Sequence, residues 1–273
     1  MGEVGGGVAR RKVGGRVVVY QRRFCGQCRE CLRGRQGLCR ALGLPSVDTE
    51  GAYAEYLRVP AISAVELPDG LDYSLAALAS CPIATSVRAL HGECSLQPGE
   101  TVLVNGASGG LGAHQIQLAR ALGARVIAVT GSADKRDLLH QLGAHDVVVA
   151  SAGYSAEVWK LTGKRGVDVA MENLGHTLED TLRSMALGGR VVVLGNVQPG
   201  SVAVNPGLLI GRRLKVQGSG SATLEQLRTA LALIHGGQVR PLIDRVLPFP
   251  QVSEAHALLE SRQVSGRIVL SGW

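Results

Sequence analysis

Apolar runs of strand length alternate with amphipathic segments through the middle of the chain. This alternation predicts an α/β protein, with a parallel sheet covered by helices on both faces. The predicted strands are Glu100–Asn105, Arg125–Thr130, Asp146–Val149, Val167–Glu172, Arg190–Leu194 and Leu214–Gly218. The predicted helices are Gly110–Leu122, Ala133–Leu142, Tyr154–Leu161, Leu178–Met185 and Thr223–Ile234, with glycine stops at Gly123, Gly143 and Gly188. Six strands in this arrangement favour a Rossmann-type, doubly wound parallel sheet.

The two ends of the chain have a different pattern. Residues 1–80 predict short strands and loops, including a β-branched run at Arg16–Tyr20 and an alternating strand at Gly51–Val59. Residues 236–273 predict a strand at Arg245–Phe249, a helix at Val252–Ser261 and a last strand at Arg267–Leu270. The chain therefore divides into three parts, 1–80, 81–235 and 236–273, and we expect the last part to pack onto the first.

A turn of small residues joins the first predicted strand of the sheet to the helix that follows. It reads Gly106-Ala107-Ser108-Gly109-Gly110-Leu111-Gly112. Small residues let a pyrophosphate approach the backbone N–H groups and the positive end of the helix dipole. Ala107, Gly109 and Gly112 fill the three positions of the dinucleotide fingerprint. An ordinary tight turn is the alternative, but the strand before it and the helix after it favour a nicotinamide dinucleotide.

The end of the second predicted strand distinguishes between the two nicotinamide cofactors. NAD(H) sites usually have an acidic residue there, which binds the ribose 2′-hydroxyl. Here Thr130-Gly131-Ser132 is followed by Ala133-Asp134-Lys135-Arg136. A hydroxyl and two cations suit a 2′-phosphate. We therefore predict NADP(H), with Thr130, Ser132, Lys135 and Arg136 at the site; NAD(H), or an ordinary solvated helix start containing Asp134, is the alternative.

Four cysteines lie within a short arginine- and glycine-rich loop, at Cys25, Cys28, Cys31 and Cys39. Four thiolates complete a tetrahedral zinc site with no open position, which is the form of a structural site. The surrounding arginines offset the negative charge of the thiolates. Free cysteines, disulfides and an iron–sulfur cluster are the alternatives.

Composition limits the remaining function classes. The chain has 273 residues, of which 45% are hydrophobic and 19% charged, so it has enough apolar residues for a core. Its net charge is +7, but the basic residues are spread along the chain and only 3% of residues are aromatic, which disfavours nucleic-acid binding. No secretory signal or membrane-spanning stretch is visible. We expect a cytoplasmic protein with a small-molecule substrate.

Together these motifs resemble the zinc-containing medium-chain dehydrogenase/reductase family, best known from the alcohol dehydrogenases. The resemblance spans nearly the whole chain. It rests on the cysteine spacing, the glycine turn, Glu3-Val4-Gly5-x-Gly7-Val8, Val13-Gly14-x-Arg16-Val17-Val18, Gly51-Ala52-Tyr53-Ala54-Glu55-Tyr56 and Cys81-x-x-x-Thr85. Residues Glu172–Asn196 and Gly218–Thr223 look most like the archaeal acryloyl-CoA reductase-like branch, which is grouped with zinc alcohol dehydrogenases and quinone reductases.

The resemblance implies both an architecture and an activity. Residues 1–80 and 236–273 would form a GroES-like β domain, and residues 81–235 a Rossmann domain, with the cofactor in the cleft between them. Thr85, Leu194, Gly195 and Asn196 would then line the cofactor site. The implied activity is NADP(H)-dependent hydride transfer with an alcohol/aldehyde pair or an activated enoyl or quinone-like substrate. The implied assembly is a homodimer or homotetramer formed through the Rossmann domain.

The sequence departs from this family at the catalytic zinc. The family takes a Cys and a His from an N-terminal segment and a second Cys that matches Cys81, but no Cys, His, Ser or Thr precedes Cys25 here. Met1–Val4 aligns just beyond the family's Gly-His-Glu, so we expect an incomplete GroES-like domain. The alternatives are an upstream start, a fragment, or a short protein that needs a partner or a rearranged fold. Cys81 is either a zinc ligand or a small buried residue. A catalytically impaired dinucleotide-binding protein is the alternative function.

Overall fold

The computed structural model describes residues 1–9, 11–41, 43 and 50–272. The strands in this part of the chain are β1 (Val17–Val19), β2 (Ala64–Glu66), β3 (Thr101–Val104), β4 (Arg125–Thr130), β5 (Asp146–Val149), β6 (Val167–Glu172), β7 (Met185–Val193), β8 (Lys215–Gly218), β9 (Ile243–Pro248) and β10 (Arg267–Ser271). The α-helices are α1 (Arg29–Leu32), α2 (Tyr73–Ala77), α3 (Ala84–Val87), α4 (Gly112–Ala121), α5 (Arg136–Gln141), α6 (Ser155–Leu161), α7 (Leu178–Arg183), α8 (Pro206–Arg212), α9 (Leu224–His235) and α10 (Val252–Glu260).

Strands β3 to β8 form a six-stranded parallel sheet in the order β5-β4-β3-β6-β7-β8. This is the doubly wound order predicted from the alternation of strands and helices. All four residues of the central strand β3 are buried, because helices cover both of its faces. The order reverses between β3 and β6, so the carboxyl ends of these two strands border the crevice in which such folds bind ligands.

The flanking parts contribute two small sheets. β1 pairs antiparallel with β2, and β9 pairs parallel with β10. The start of β10 is joined to the glycine turn, because the Gly266 N–H donates to the Ser108 carbonyl over 2.8 Å. This bond brings the C-terminal part of the chain to the edge of the Rossmann sheet where the predicted cofactor site lies.

Two sequence predictions about local structure are wrong. Gly51–Val59 forms no strand, because no segment of the described residues pairs with it in a ladder. Gly188 does not stop a helix: α7 ends at Arg183, and Gly188 lies inside β7 with a φ of +79°. The pairing of β6 with β7 shifts register there, so this glycine accommodates a bulge.

Four α-helices of the described chain, α1, α2, α3 and α8, were not predicted from the sequence. Helix α8 precedes β8 and begins at Pro206, with the side chain of Asn205 accepting from the Gly207 N–H over 2.8 Å. An Asn cap followed by proline at the first helical position is a helix-start signal that was present in the sequence. No helix within the described part of the chain combines the length and apolar character needed to cross a bilayer.

Candidate functional site

The glycine turn lies between β3 and α4, at the crevice where the strand order reverses. A Cβ atom added to Gly112 would lie 2.6 Å from Ala107 Cα and 2.7 Å from the Ala107 carbonyl oxygen. Gly106 has a φ of +56°, a left-handed conformation that glycine adopts without strain. The first turn of α4 therefore packs directly on the end of β3, and the small residues predicted from the fingerprint are required by this close approach.

Arg267 of β10 extends over this turn and was not predicted as a site residue from the sequence. A Cβ atom on Gly110 would lie 2.6 Å from Arg267 Cζ, so the guanidinium rests against the turn backbone. Its Nε atom is buried and has no hydrogen-bond partner among the described residues. A buried cationic donor beside a helix N-terminus fits a phosphate group of a dinucleotide. No local sequence pattern links Arg267 to the glycine turn, since this residue lies more than a hundred residues beyond it.

His114 of α4 connects the turn to the C-terminal part. The Leu242 N–H donates to His114 Nε2 over 3.0 Å, so His114 Nδ1 carries the proton and donates to the Gly110 carbonyl over 2.7 Å. Burial, with the nearby Arg267 charge in addition, lowers the pKa of His114 to about 4. His114 is therefore a neutral link between the first turn of α4 and the segment that enters β9.

This link predicts a pH dependence of stability. The pKa of His114 falls from 6.5 to about 4 on folding, so the unfolded chain takes up a proton that the folded chain does not. The free energy of unfolding should therefore fall as pH decreases from about 6.5 to about 4, by about 3 kcal/mol at most. Urea unfolding followed across this range should show a shallower pH slope for H114Q than for the unaltered chain.

The exposed histidine His235 at the end of α9 provides the matched control for this experiment. H235Q should keep the full slope. The unaltered chain, H114Q and H235Q contain the same cysteines, so any loss of metal at low pH affects all three alike. The difference in slope therefore reports the contribution of His114 alone. An H114Q slope as steep as that of the unaltered chain would contradict the assignment.

A buried carboxylate organises the carboxyl ends of β3 and β6. Glu172 Oε2 accepts from Asn105 Nδ2 over 2.6 Å and from the Thr181 hydroxyl over 2.5 Å. Its Oε1 accepts from the Thr177 hydroxyl and from the backbone N–H groups of Leu174 and Gly175 over 2.8 to 3.0 Å. Five donors satisfy this buried charge and fix the loop that follows β6.

The predicted nicotinamide segment is attached to this network. The Glu172 carbonyl accepts from the Leu194 N–H over 2.8 Å and from the Gly195 N–H over 3.3 Å. A Cβ on Gly175 would lie 2.8 Å from the Gly195 carbonyl oxygen and 3.2 Å from Asn196 Cα. The structure thus brings Leu194, Gly195 and Asn196 beside the loop after β6, at the same edge of the sheet as the glycine turn.

The four residues predicted to bind a 2′-phosphate lie at the end of β4 and the start of α5. Thr130 is buried and its hydroxyl accepts from the Ser132 N–H over 3.3 Å. Lys135 Nζ donates to the carbonyls of Arg262 and Val264 over 3.2 and 3.0 Å. Arg136 Nη1 donates to the Val147 carbonyl over 3.0 Å. Both cations bond to neutral carbonyl groups, and Lys135 brings Arg262 of the C-terminal part next to this turn.

The four cysteine sulfurs of the lobe Cys25–Cys39, hereafter the four-cysteine lobe, lie within 4.8 Å of one another. The Sγ atom of Cys25 is 3.9 Å from that of Cys31 and 3.6 Å from that of Cys39, and the Cys28–Cys39 distance is 3.9 Å. Tetrahedral zinc with Zn–S bonds of about 2.3 Å separates its sulfurs by about 3.8 Å. The donor set and its spacing therefore fit one zinc ion with no open position.

The thiols of the lobe differ in their protonation. The backbone N–H groups of Gln27 and Cys28 lower the pKa of Cys25 to about 6, whereas burial raises the pKa of Cys31 to about 12. Cys25 is thus ready to bind a cation near neutral pH, and Cys31 must lose its proton as the metal enters. Metal binding at this lobe therefore releases protons and weakens as pH falls.

Cys81 is exposed and lines a cavity of about 460 Å³ together with Tyr53, Phe249 and Arg267. Half-buried Thr85 lies one turn further along, on α3. Among the described residues, Cys81 belongs to no cluster of three or more potential metal ligands. A catalytic zinc needs three protein ligands, so this set does not fit one. The cavity contains a thiol and, in Arg267, the cation that also contacts the glycine turn.

Comparisons with known proteins agree with this geometry. Residues 110–236 match the model of the zinc-binding dehydrogenase family, and residues 2–69 match that of the alcohol dehydrogenase GroES-like domain. The acryloyl-coenzyme A reductase of Metallosphaera sedula is 31% identical over 271 residues, which cover 98% of this chain and 80% of that protein. The chain belongs to the zinc-type medium-chain dehydrogenase/reductase family. It is an oxidoreductase of this family, and the predicted α/β fold class is confirmed.

Solved structures of this family extend the comparison. The crystal structure of AibC is 40% identical, has a TM-score of 0.90, and aligns with 96% of this chain and 74% of its own. The crystal structure of an NAD-dependent alcohol dehydrogenase is 31% identical, has a TM-score of 0.94, and aligns with 100% of this chain and 80% of its own. The proteins similar to this chain thus include an acryloyl-coenzyme A reductase and an NAD-dependent alcohol dehydrogenase.

Proposed function

We propose that the chain is an NADP(H)-dependent reductase of an activated enoyl substrate, such as an enoyl thioester. The observation that carries this proposal is the crevice itself: a glycine turn and the unpartnered Nε of Arg267 suit the pyrophosphate, while the adjacent cavity offers the single thiol of Cys81. Hydride transfer from the nicotinamide is chemistry that the cofactor supplies when bound. The chain's own residues bind and orient the cofactor and the substrate.

The enoyl substrate is preferred because of the metal ligands. A zinc-dependent alcohol dehydrogenase uses its metal to stabilise an alkoxide, which requires three ligands and an open position. In an enoyl thioester the β-carbon accepts the hydride, the electron pair of the double bond moves onto the thioester carbonyl to give an enolate, and a proton from solvent then adds to the α-carbon, so no such ion is required. The similarity to acryloyl-coenzyme A reductase supports this choice.

Oxidation of NADPH by the zinc-loaded chain tests this proposal. When short enoyl thioesters are added, absorbance at the nicotinamide band should fall. The rate of this fall should not depend on added zinc. Zinc-dependent turnover of aldehydes, without turnover of enoyl thioesters, would instead support the alcohol dehydrogenase function suggested by the NAD-dependent alcohol dehydrogenase similarity. Tight cofactor binding without turnover of either substrate class would support a non-catalytic dinucleotide-binding protein.

The preference for NADP(H) over NAD(H) rests on Lys135. In K135A the loss of a charge-assisted bond to the 2′-phosphate should weaken NADPH binding about tenfold or more, while NADH binding changes less than about twofold. Calorimetric titration with both cofactors gives the ratio. K160A, which removes an exposed lysine from α6, is the control and should leave both affinities unchanged. Equal weakening of NADPH and NADH by K135A would show that Lys135 does not read the phosphate.

We also propose that two copies of the chain associate through β8. This strand is an edge of the six-stranded sheet, all four of its residues are exposed, and Val216 is 40% exposed. An exposed edge strand that carries the apolar side chain of Val216 is complementary to a second copy of itself about a twofold axis. Light scattering should give a dimer, or a tetramer built from such dimers, and V216K should lower the mass. V13K, at an exposed valine of the N-terminal part, should not.

A further inference from the structure

A short segment follows β8 at the carboxyl edge of the sheet. Ser219–Ala222 continues from β8 to Thr223, the N-cap of α9, and the Ser219 N–H donates to the Val193 carbonyl over 2.8 Å. In a doubly wound sheet each half binds one nucleotide of the cofactor. Because the glycine turn and the predicted 2′-phosphate residues lie with β3 and β4, β6 to β8 form the nicotinamide half. Ser219–Ala222 therefore borders the nicotinamide end of the crevice.

Three side chains from outside the sheet hold this segment. Tyr20 Oη donates to the Ala222 carbonyl over 2.6 Å, and Arg88 Nη1 donates to the Ser221 carbonyl over 2.8 Å. Arg22 Nε donates to the Ser221 hydroxyl. Arg88 is itself held by Glu93, whose carboxylate accepts from its Nε over 2.7 Å. Tyr20 is 2% exposed, so its hydroxyl has exchanged water for this one carbonyl.

Two of these side chains, Tyr20 and Arg88, connect the segment to the four-cysteine lobe. The ring of Tyr20 packs edge-to-face on Phe24, which precedes Cys25, with centroids 5.6 Å apart. A Cβ atom on Gly37, inside the lobe, would lie 3.4 Å from both Arg88 Nη1 and the Ser221 carbonyl oxygen. Cys31 and Cys39 belong to the same apolar cluster as Tyr20 and Ala222. The lobe thus packs on the side chains that fix the Ser219–Ala222 segment.

We infer that Tyr20, Arg22 and Arg88 are positioning residues that couple the metal in the four-cysteine lobe to the nicotinamide end of the crevice. This inference rests on the proposed dinucleotide site and goes beyond it, because it gives the lobe a role in cofactor binding. With metal bound, the lobe holds Gly37 and Phe24 in place against Arg88 and Tyr20. Without metal, four thiols separate and the support of Ser219–Ala222 is lost.

The test compares a whole cofactor with its adenine half. NADPH occupies both halves of the crevice, whereas adenosine 2′,5′-bisphosphate occupies only the half formed by β3 to β5. Calorimetric titration of the zinc-loaded full chain should show NADPH binding weakened about tenfold in R88Q and about threefold in Y20F. The affinity for adenosine 2′,5′-bisphosphate should stay within about twofold in both. Removal of zinc by a chelator should give the same pattern as R88Q.

A control variant at the amino-terminal end of the sheet strands, away from the crevice, distinguishes a loss of positioning from a loss of overall stability. R165Q removes the pair with Asp168, at the amino end of β6, and should leave both ligands unaffected. S221A removes only the hydroxyl partner of Arg22. It replaces R88Q in the comparison of the two ligands if R88Q does not fold. Equal weakening of both ligands in the variants, or no weakening of either, overturns the coupling while leaving the cofactor site intact. Failure of the unaltered chain to bind NADPH or NADH overturns the proposed function as well.

Discussion

Replacement of Gly112 by alanine should weaken NADPH binding by at least about a hundredfold. The added Cβ atom would lie 2.6 Å from Ala107 Cα, and the neighbouring atoms are backbone, so no side chain is free to give way. The start of α4 must therefore move away from the end of β3. This movement displaces the backbone N–H groups and the helix N-terminus that would bind the pyrophosphate in the proposed site. The same shift pulls on His114, which ties the turn to Leu242.

A glycine in open space provides the matched control for this prediction. A Cβ atom on Gly211 of α8 would meet no atom within 4 Å, and alanine in a helix is favoured over glycine by roughly 1 kcal/mol. G211A should therefore bind NADPH normally and unfold at the same or a slightly higher temperature. Both variants should keep their zinc, because neither glycine touches the four-cysteine lobe. Undiminished NADPH binding by G112A would contradict the assignment of the turn.

Replacement of Cys31 by serine should abolish tight zinc binding and destabilise the chain. Cys31 is buried, and burial raises the pKa of its thiol to about 12. The thiol therefore loses its proton and becomes a ligand only when the metal binds. Serine leaves three thiols and an unpaired buried hydroxyl in the cluster that contains Phe24 and Tyr20. Loss of a structural metal should cost at least about 3 kcal/mol, which lowers the melting temperature by roughly 10 °C.

Metal analysis and thermal unfolding measure both effects. The unaltered chain should contain one zinc ion per chain and C31S almost none. C81S is the control, because Cys81 is an exposed thiol outside the four-cysteine lobe, and its zinc content should stay at one. Iron in place of zinc would support the iron–sulfur alternative. Full zinc content in C31S would show that the lobe does not hold the ion.

The predictable parts of the fold were those governed by local pattern. Buried strands such as β3 and β4 are continuous apolar runs, and the helices between them have clear starts and stops, so the sheet order followed from their alternation. The cysteine spacing predicted a donor cluster, which the structure assembles within 4.8 Å. Both signals are contained in short stretches of chain, where residue spacing determines which groups meet.

The parts that the sequence did not reveal depend on contacts between distant residues. Arg267 reaches the glycine turn from the C-terminal part, and Glu172 collects donors from three segments of the chain. Gly51–Val59 alternates like a strand, but a strand also needs a partner, and pairing is not encoded in its own pattern. Gly188 has the local appearance of a helix stop, although the register of β6 and β7 places it in a bulge.

Binding of the two nicotinamide cofactors to the unaltered, zinc-loaded chain is the most direct test of the proposed cofactor site. Titration followed by nicotinamide fluorescence should show one saturable NADPH site per chain, with a dissociation constant at least about tenfold below that for NADH. Such a result is expected if Lys135 reads a 2′-phosphate and the glycine turn holds the pyrophosphate. Tighter binding of NADH would contradict the cofactor preference, and no saturable binding of either cofactor would contradict the site.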